Sequence, residues 1–108
     1  LANELVRIGA EVTILDSLYP AFGGNMFNIK DFEDRINIVI GDIRNKSLIQ
    51  QLVPDCEIIF NLAAQTSHVG SMKDPRNDLE INSLAQLNIL EVCKEPSAAF
   101  RLSCRSWL

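Results

Sequence analysis

Three short apolar runs, each closed by a polar group, constrain this chain more than any other feature. They are Val12-Thr13-Ile14-Leu15-Asp16, Ile38-Val39-Ile40-Gly41-Asp42-Ile43, and the strand that opens into Asn61-Leu62-Ala63-Ala64-Gln65-Thr66-Ser67-His68-Val69. The segment Ile36 to Ile40 is rich in β-branched apolar residues without alternation, the pattern of a strand covered on both faces in a parallel sheet. Parallel neighbours need a crossover, so the segments between the runs must supply helices.

Those segments read accordingly. Leu1, Leu5 and Ile8 recur at helical spacing with Ala2 and Val6 beside them, and Gly9 supplies a left-handed stop. Glu11 to Asp16 reads as a strand. Ser17 to Asp34, with Pro20 and Gly23-Gly24, reads as a long flexible surface loop. Residues 46–53 form a short amphipathic helix stopped by Pro54, and Glu57 to Leu62 the third strand. After a loop to Pro75, Asp78 to Glu95 reads as one long helix stopped by Pro96. Its apolar residues nearly encircle it, which predicts burial on more than one side. Helix alternating with strand gives an open α/β sheet with right-handed crossovers, a Rossmann-like doubly wound parallel sheet.

At 108 residues the chain is long enough for one core, and 47% apolar with 22% charged residues is a soluble composition. No run approaches the roughly 18 apolar residues of a membrane span. A net charge of -4 with interspersed signs lacks the basic stripe of a nucleic-acid groove. An anionic cofactor stays compatible with it, since helix N-termini bind phosphate through backbone N–H groups. Cys56, Cys93 and Cys104 are odd in number and form no C-x-x-C pair, so reduced, packed thiols in a cytoplasmic protein are expected; there is no signal peptide.

In open α/β sheets ligands bind beyond the carboxyl ends of the strands. Asp16 ends the first run, where a carboxylate accepts from both hydroxyls of an adenosine ribose and repels a 2′-phosphate, which favours NAD over NADP. A plain turn-forming Asp is the alternative. Asp42 is placed to accept from an adenine amino group with Ile43 against the ring, or else to cap a helix over 44–53. Ala63 and Ala64, after Leu62, are small where a strand end passes beneath a flat ligand, or where helix and strand pack closely. Asn82 is the polar exception on the long helix; it either holds an adjacent strand end or faces water. His68 is the only histidine, which excludes metal chemistry built on histidines, and a solvated or structural role suits it best.

Leu15-Asp16, Gly41-Asp42-Ile43-Arg44, Asn61-Leu62-Ala63-Ala64-Gln65, and Glu80-Ile81-Asn82 with Asn88-Ile89-Leu90-Glu91 resemble successive blocks of the extended short-chain dehydrogenases, specifically the NAD-dependent nucleotide-sugar epimerase/dehydratase family. The resemblance covers residues 1 to about 95, and the Asn82 to Cys93 pattern is most similar to epimerases of sugars linked to CDP, UDP or dTDP. It implies a tightly bound NAD that oxidises a sugar hydroxyl to a ketone and later takes part in its reduction; dehydratases eliminate water in between. Asp16 would then hold the ribose, Asp42 and Ile43 the adenine, and Leu62, Ala63, Ala64 and Gln65 the cofactor's middle. Asn82 joins them through the strand end it would hold, and its helix would supply a dimerisation face.

Two family features are missing from the residues. The glycine-rich phosphate loop belongs about 20 residues before the ribose acid, upstream of Leu1. The Tyr-x-x-x-Lys pair is absent too: Tyr19 is the only tyrosine and Gly23 stands four places on. The expectation is therefore a truncated Rossmann domain, with first strand and substrate domain missing and no catalytic residue of its own. Residues 1–95 would be a partial NAD-binding domain, inactive alone, with the nucleotide sugar bound only by a full-length parent. Residues 96–108 form an atypical tail, with room for one further strand that brings Ser103 or Ser106 near the site. The missing strand would lie between those ending at Asp16 and Leu62, so these two are expected to pair directly or with another chain, as a homodimer or other self-association. The rival is a non-catalytic Rossmann-like NAD-sensing or protein-interaction module. A flavodoxin-like or receiver domain fits poorly, because Asp16 and Asp42 have no third acidic partner.

Overall fold

The computed structural model describes residues 1–19 and 24–94 and the backbone of 101–104. These divide into two compact units, Leu1–Asp42 and Ile43–Leu108. The chain is α/β with parallel strands, and no described helix is long and apolar enough to cross a membrane.

In the first unit, helix α1 (Ala2–Arg7) leads into strand β1 (Val12–Asp16), which pairs in parallel with β2 (Ile36–Ile40). Gly9 ends α1 with φ 90°; its N–H reaches the Val6 carbonyl at 3.0 Å and the Ala10 N–H reaches that of Leu5 at 3.0 Å. This is the paired closure that only a residue tolerant of the left-handed region makes cheaply. The register runs Val12↔Ile36 to Asp16↔Ile40, so both carboxyl ends finish level. Burial is partial on both faces rather than complete: Val12 is buried and Ile14, Leu15, Ile36, Ile38 and Val39 are half-buried, whereas Asn37 and Ile40 are exposed. The elements packed on this ladder within its unit are α1 and a 3-10 segment, Met26–Arg35. That segment replaces half of the loop expected over 17–34. Asn25 caps it by accepting from the Phe27 N–H at 2.9 Å, Phe32 is buried, and a kink at Phe32 (φ -142°) divides it. Pro20 and Gly23 lie outside the described residues.

In the second unit, α2 (Lys46–Leu52) runs into a 3-10 turn, Val53–Asp55, that contains Pro54. Strand β3 (Ile58–Asn61) pairs in parallel with β4 (Arg101–Cys104), which lies in the span where one further strand was expected. Ser106 is outside the described residues. Direct pairing of the Asp16 and Leu62 strands is not found: among the described residues β1 pairs with β2 and β3 with β4. The expected loop from 63 to 75 contains α3 (His68–Lys73), capped by Ser67 through the Gly70 N–H at 3.0 Å. The long helix starts at Pro75 rather than Asp78, because Asp74 caps it (Asn77 N–H, 3.1 Å) and proline suits a first helical position. It is α4 (Pro75–Leu79), a π turn (Glu80–Leu84) and α5 (Ala85–Cys93).

The core of this unit is Ile49 and Val53 against Ala85, Ile89 and Val92, where α5 packs on α2 and the following turn. The expectation of a helix buried on more than one side is corrected here. Leu79, Leu84, Leu87 and Leu90 remain 41–54% exposed.

Candidate functional site

Asp16, at the carboxyl end of β1, is exposed, and its Oδ1 accepts the Leu18 N–H at 2.8 Å. The carboxylate therefore does make the turn that a strand-end Asp favours, and it holds Leu18 at φ 47°, in the left-handed region. Its second oxygen has no such bond among the described residues. Beside it lies a cavity of about 270 Å³, lined by Ile14, Leu18, Met26, Ile29 and Ile38 on the apolar side and by Asp16, Ser17, Tyr19 and Asn25 on the polar side. Drug-sized ligand sites run from about 300 Å³ upward. This cavity suits a piece the size of a nucleoside. The neighbouring strand end is tied in through the Gly41 N–H, which reaches the Asp16 carbonyl at 3.0 Å.

Asp42 follows as a half-buried residue, and it does not cap α2. That cap is Asn45, whose Oδ1 accepts the Leu48 N–H at 3.2 Å. Helix α2 begins at Lys46 with Asn45 as its cap, so the capping role read for Asp42 belongs to Asn45. Ile43 is half-buried.

The loop after β3 is fixed by two side-chain amides of the long helix. Gln86 accepts from the Asn61 side-chain amide and donates to the Ala63 carbonyl at 3.4 Å. Asn82, in the π turn, accepts the Gln65 N–H at 2.9 Å and donates to the Gln65 carbonyl at 2.9 Å. Asn82 holds the loop backbone rather than facing water. Its Nδ2 also donates to Asp78 Oδ1 at 2.7 Å. A carboxylate accepts only, so this contact fixes which end of the Asn82 amide faces which Gln65 group.

Gln65 repeats the device one step along. Its buried side chain accepts the Ser67 N–H and donates to the Ser67 carbonyl at 3.1 Å and to Ser71 Oγ at 3.4 Å. Ser71 Oγ donates to the Ser67 carbonyl or to Asp78 Oδ1, both at 3.0 Å. The half-buried polar atoms thus satisfy one another, as buried polar groups must. Gly70 leaves room beside them, since a Cβ there would stand 2.7 Å from Gln65 Nε2 and displace that side chain.

The result is an alternating segment. Asn61, Ala63 and Gln65 are drawn inward, while Leu62 and Ala64 are exposed. Of the residues singled out from sequence, the structure brings Ala63, Gln65 and Asn82 together in one unit, and sets Asp16 beside the β2 end that precedes Asp42 in the other. His68 is exposed at the first turn of α3. Sequence reasoning gave no role to Ser71, Asp78, Gln86 or Arg44. Only the Asp-Pro start of the helix, which would have put Asp78 in its first turn, was there to be read. Arg44 Nη1 donates to Asn77 Oδ1 at 2.9 Å and lies 3.4 Å from Glu80 Oε2, and Lys46 Nζ lies 3.1 Å from Glu91 Oε2.

Cys56 and Cys93 are free thiols. Each donates to a carbonyl four residues back, to Leu52 at 3.2 Å and to Ile89 at 2.8 Å. Burial pushes both thiols up from the ordinary range, with Asp55 adding to the effect at Cys56. Protonated packing groups fit this better than nucleophiles.

A family model described as GDP-mannose 4,6 dehydratase matches residues 1–106, beyond residue 95 where the resemblance was read to end. A dTDP-glucose 4,6-dehydratase of Mycobacterium tuberculosis is 31% identical over 77% of this chain and 24% of its own length. Among solved structures, an epimerase of Methanothermobacter thermautotrophicus superposes with a TM-score of 0.81 at 29% identity, over 94% of this chain and 29% of that one. A UDP-glucose 4-epimerase of Thermus thermophilus, solved in complex with NAD, gives 0.70 at 29% identity, over 84% and 28%. The chain thus spans between 24% and 29% of the length of these relatives.

Proposed function

The chain belongs to the nucleotide-sugar epimerase/dehydratase family of extended short-chain dehydrogenases, whose GDP-mannose 4,6 dehydratase model it matches, and from that premise we propose that it carries the NAD-binding part of such an enzyme. The observation that carries this reading is the nucleoside-sized cavity with Asp16 at its edge. Its polar edge fits the adenosine ribose of NAD: an acceptor for ribose hydroxyls and a negative charge that opposes a 2′-phosphate. Asp42 and Ile43 take the adenine edge and face. Leu62, Ala63, Ala64 and Gln65 take the cofactor's middle, the two alanines supplying small side chains, with Asn82 holding the loop.

When bound, NAD supplies reversible oxidation of a sugar hydroxyl, at the sugar of a nucleotide sugar held by the whole enzyme. The sequence contains no Tyr-x-x-x-Lys pair. A general base is typically worth about 10²–10⁴-fold in rate, so these 108 residues alone are expected to bind cofactor without turning sugar over. The free, half-buried thiols suit a cytoplasmic setting. Exposed Leu79, Leu84, Leu87 and Leu90 form the face through which copies of the chain associate.

Calorimetric titration with NAD and NADP, on wild type and Asp16→Asn, tests the reading. Asn keeps an oxygen for the Leu18 N–H while removing the charge. NAD is expected to bind, NADP more weakly, and Asp16→Asn should cost roughly 10- to 100-fold in NAD affinity, the scale of a hydrogen bond to a charged acceptor. No heat with NAD in wild type overturns the proposal.

A further inference from the structure

We propose that Arg44 is a positioning residue for the adenine end of the site, and that it works by tying the loop after β2 to the helix that also holds the loop after β3. The proposal rests on the reading of Asp42 and Ile43 as adenine contacts. Arg44 directly follows Ile43, and its Nη1 reaches 33 and 36 residues along the chain to Asn77 Oδ1 (2.9 Å) and Glu80 Oε2 (3.4 Å). Its neighbour Asn45 is fixed in turn, through the Leu48 N–H, to the start of α2. Two consecutive residues therefore anchor the loop's far end to two different helices. A guanidinium is a rigid planar fork, so holding its head limits where its backbone can go.

The anchor's location gives the contact its meaning. Glu80 is the first residue of the π turn, and Asn82, two residues on, clamps Gln65. One helical segment thus grips the loop at 44 with Asn77 and Glu80, and the loop at 61–65 with Asn82 and Gln86. The two loops are positioned by the same element.

Arg44→Met keeps an apolar stem and removes the fork. The readout is preference between NAD and its hypoxanthine counterpart, which lacks the adenine amino group, set beside preference between NAD and NADP, which belongs to Asp16. The adenine preference is expected to fall by about fivefold, the upper range for a pair this exposed, with the NADP discrimination unchanged. Glu80→Gln, a milder change, should move the adenine preference in the same direction. An unchanged adenine preference, or a parallel fall of both preferences, overturns the proposal. If wild type binds no NAD, the functional reading fails on its own. The positioning role is then judged in the free chain by ¹⁵N order parameters at Asp42 and Ile43: a drop in Arg44→Met upholds it, and equal values overturn it.

Discussion

Asn82→Asp is the change that most directly tests the network behind Gln65. In the native arrangement the Asn82 oxygen takes the Gln65 N–H at 2.9 Å, and its nitrogen donates to the Gln65 carbonyl at 2.9 Å and to Asp78 Oδ1 at 2.7 Å. An aspartate can still accept from the Gln65 N–H. It cannot donate, so the buried Gln65 loses its carbonyl partner, at about 1–3 kcal/mol for an unsatisfied group. It also sets a second carboxylate against Asp78, where hydrogen bonds to charged acceptors of about 1.5–3 kcal/mol stood before. The expected total is a loss of about 3 kcal/mol, against the roughly 5–15 kcal/mol that holds a domain together. In a chain of this size that lowers the melting midpoint by about 12 °C or more. Urea and thermal melts followed by circular dichroism measure it. Adding Asp78→Asn restores one donor facing one acceptor and should recover at least about 1 kcal/mol as a coupling energy in a double-mutant cycle. If Asn82→Asp unfolds within about 0.5 kcal/mol of wild type, the range of an unremarkable surface change, the clamp is not holding the loop and the reasoning fails.

Gly9→Ala should destabilise by about 1 kcal/mol in the same melts: φ is 90° and nothing crowds a Cβ there, so the cost is backbone strain alone. Burial and Asp55 raise the Cys56 thiol above its ordinary 9.0, so the folded chain keeps that proton to higher pH than the unfolded one. The resulting stability is complete below the unfolded value and is lost as pH rises past it; urea midpoints should fall between about pH 8 and pH 10, and less so in Cys56→Ser. Lys46 and Glu91 pair at 3.1 Å with side chains 53% and 46% exposed, so Lys46→Met is expected to shift stability by under about 0.5 kcal/mol. Leu87→Lys should shift sedimentation toward monomer without lowering the melting midpoint, because Leu87 is 49% exposed in the single chain.

The strands were legible because their β-branched runs and polar ends carry their own signal, and α1 because Gly9 closes it. Helix α2 was legible up to the proline that follows. The 3-10 segment over 26–35 was not, since it has no 3.6-residue periodicity and breaks at Phe32. Helix α3 escaped because six residues with Gly70 among them make a poor local pattern. The earlier start of α4 was present in the text as Asp74-Pro75, a cap followed by the residue best suited to a first turn. The π turn has no comparable signature. Asn82 stood out as a polar residue on an apolar helix, yet Gln65, the residue it clamps, stands 17 places back and becomes its partner only through tertiary contact.

The long helix explains why its own apolarity misled. A helix apolar nearly all round is read as one buried on more than one side, but here three faces have separate duties. Ala85, Ile89 and Val92 fill the core against α2, while Asn82 and Gln86 present amides to alternate residues of the loop after β3. Leu84, Leu87 and Leu90 are left substantially exposed. Amides at 82 and 86 hold the Asn61 side chain and the backbone at 63 and 65, and leave 62 and 64 outward. A loop held only by apolar packing would keep its position to within the tolerance of side-chain repacking; one held by paired donors and acceptors keeps its backbone groups oriented as well. That difference matters where backbone and small side chains, rather than charged groups, are the surface offered to a ligand, the role proposed for the segment around Ala63 and Ala64.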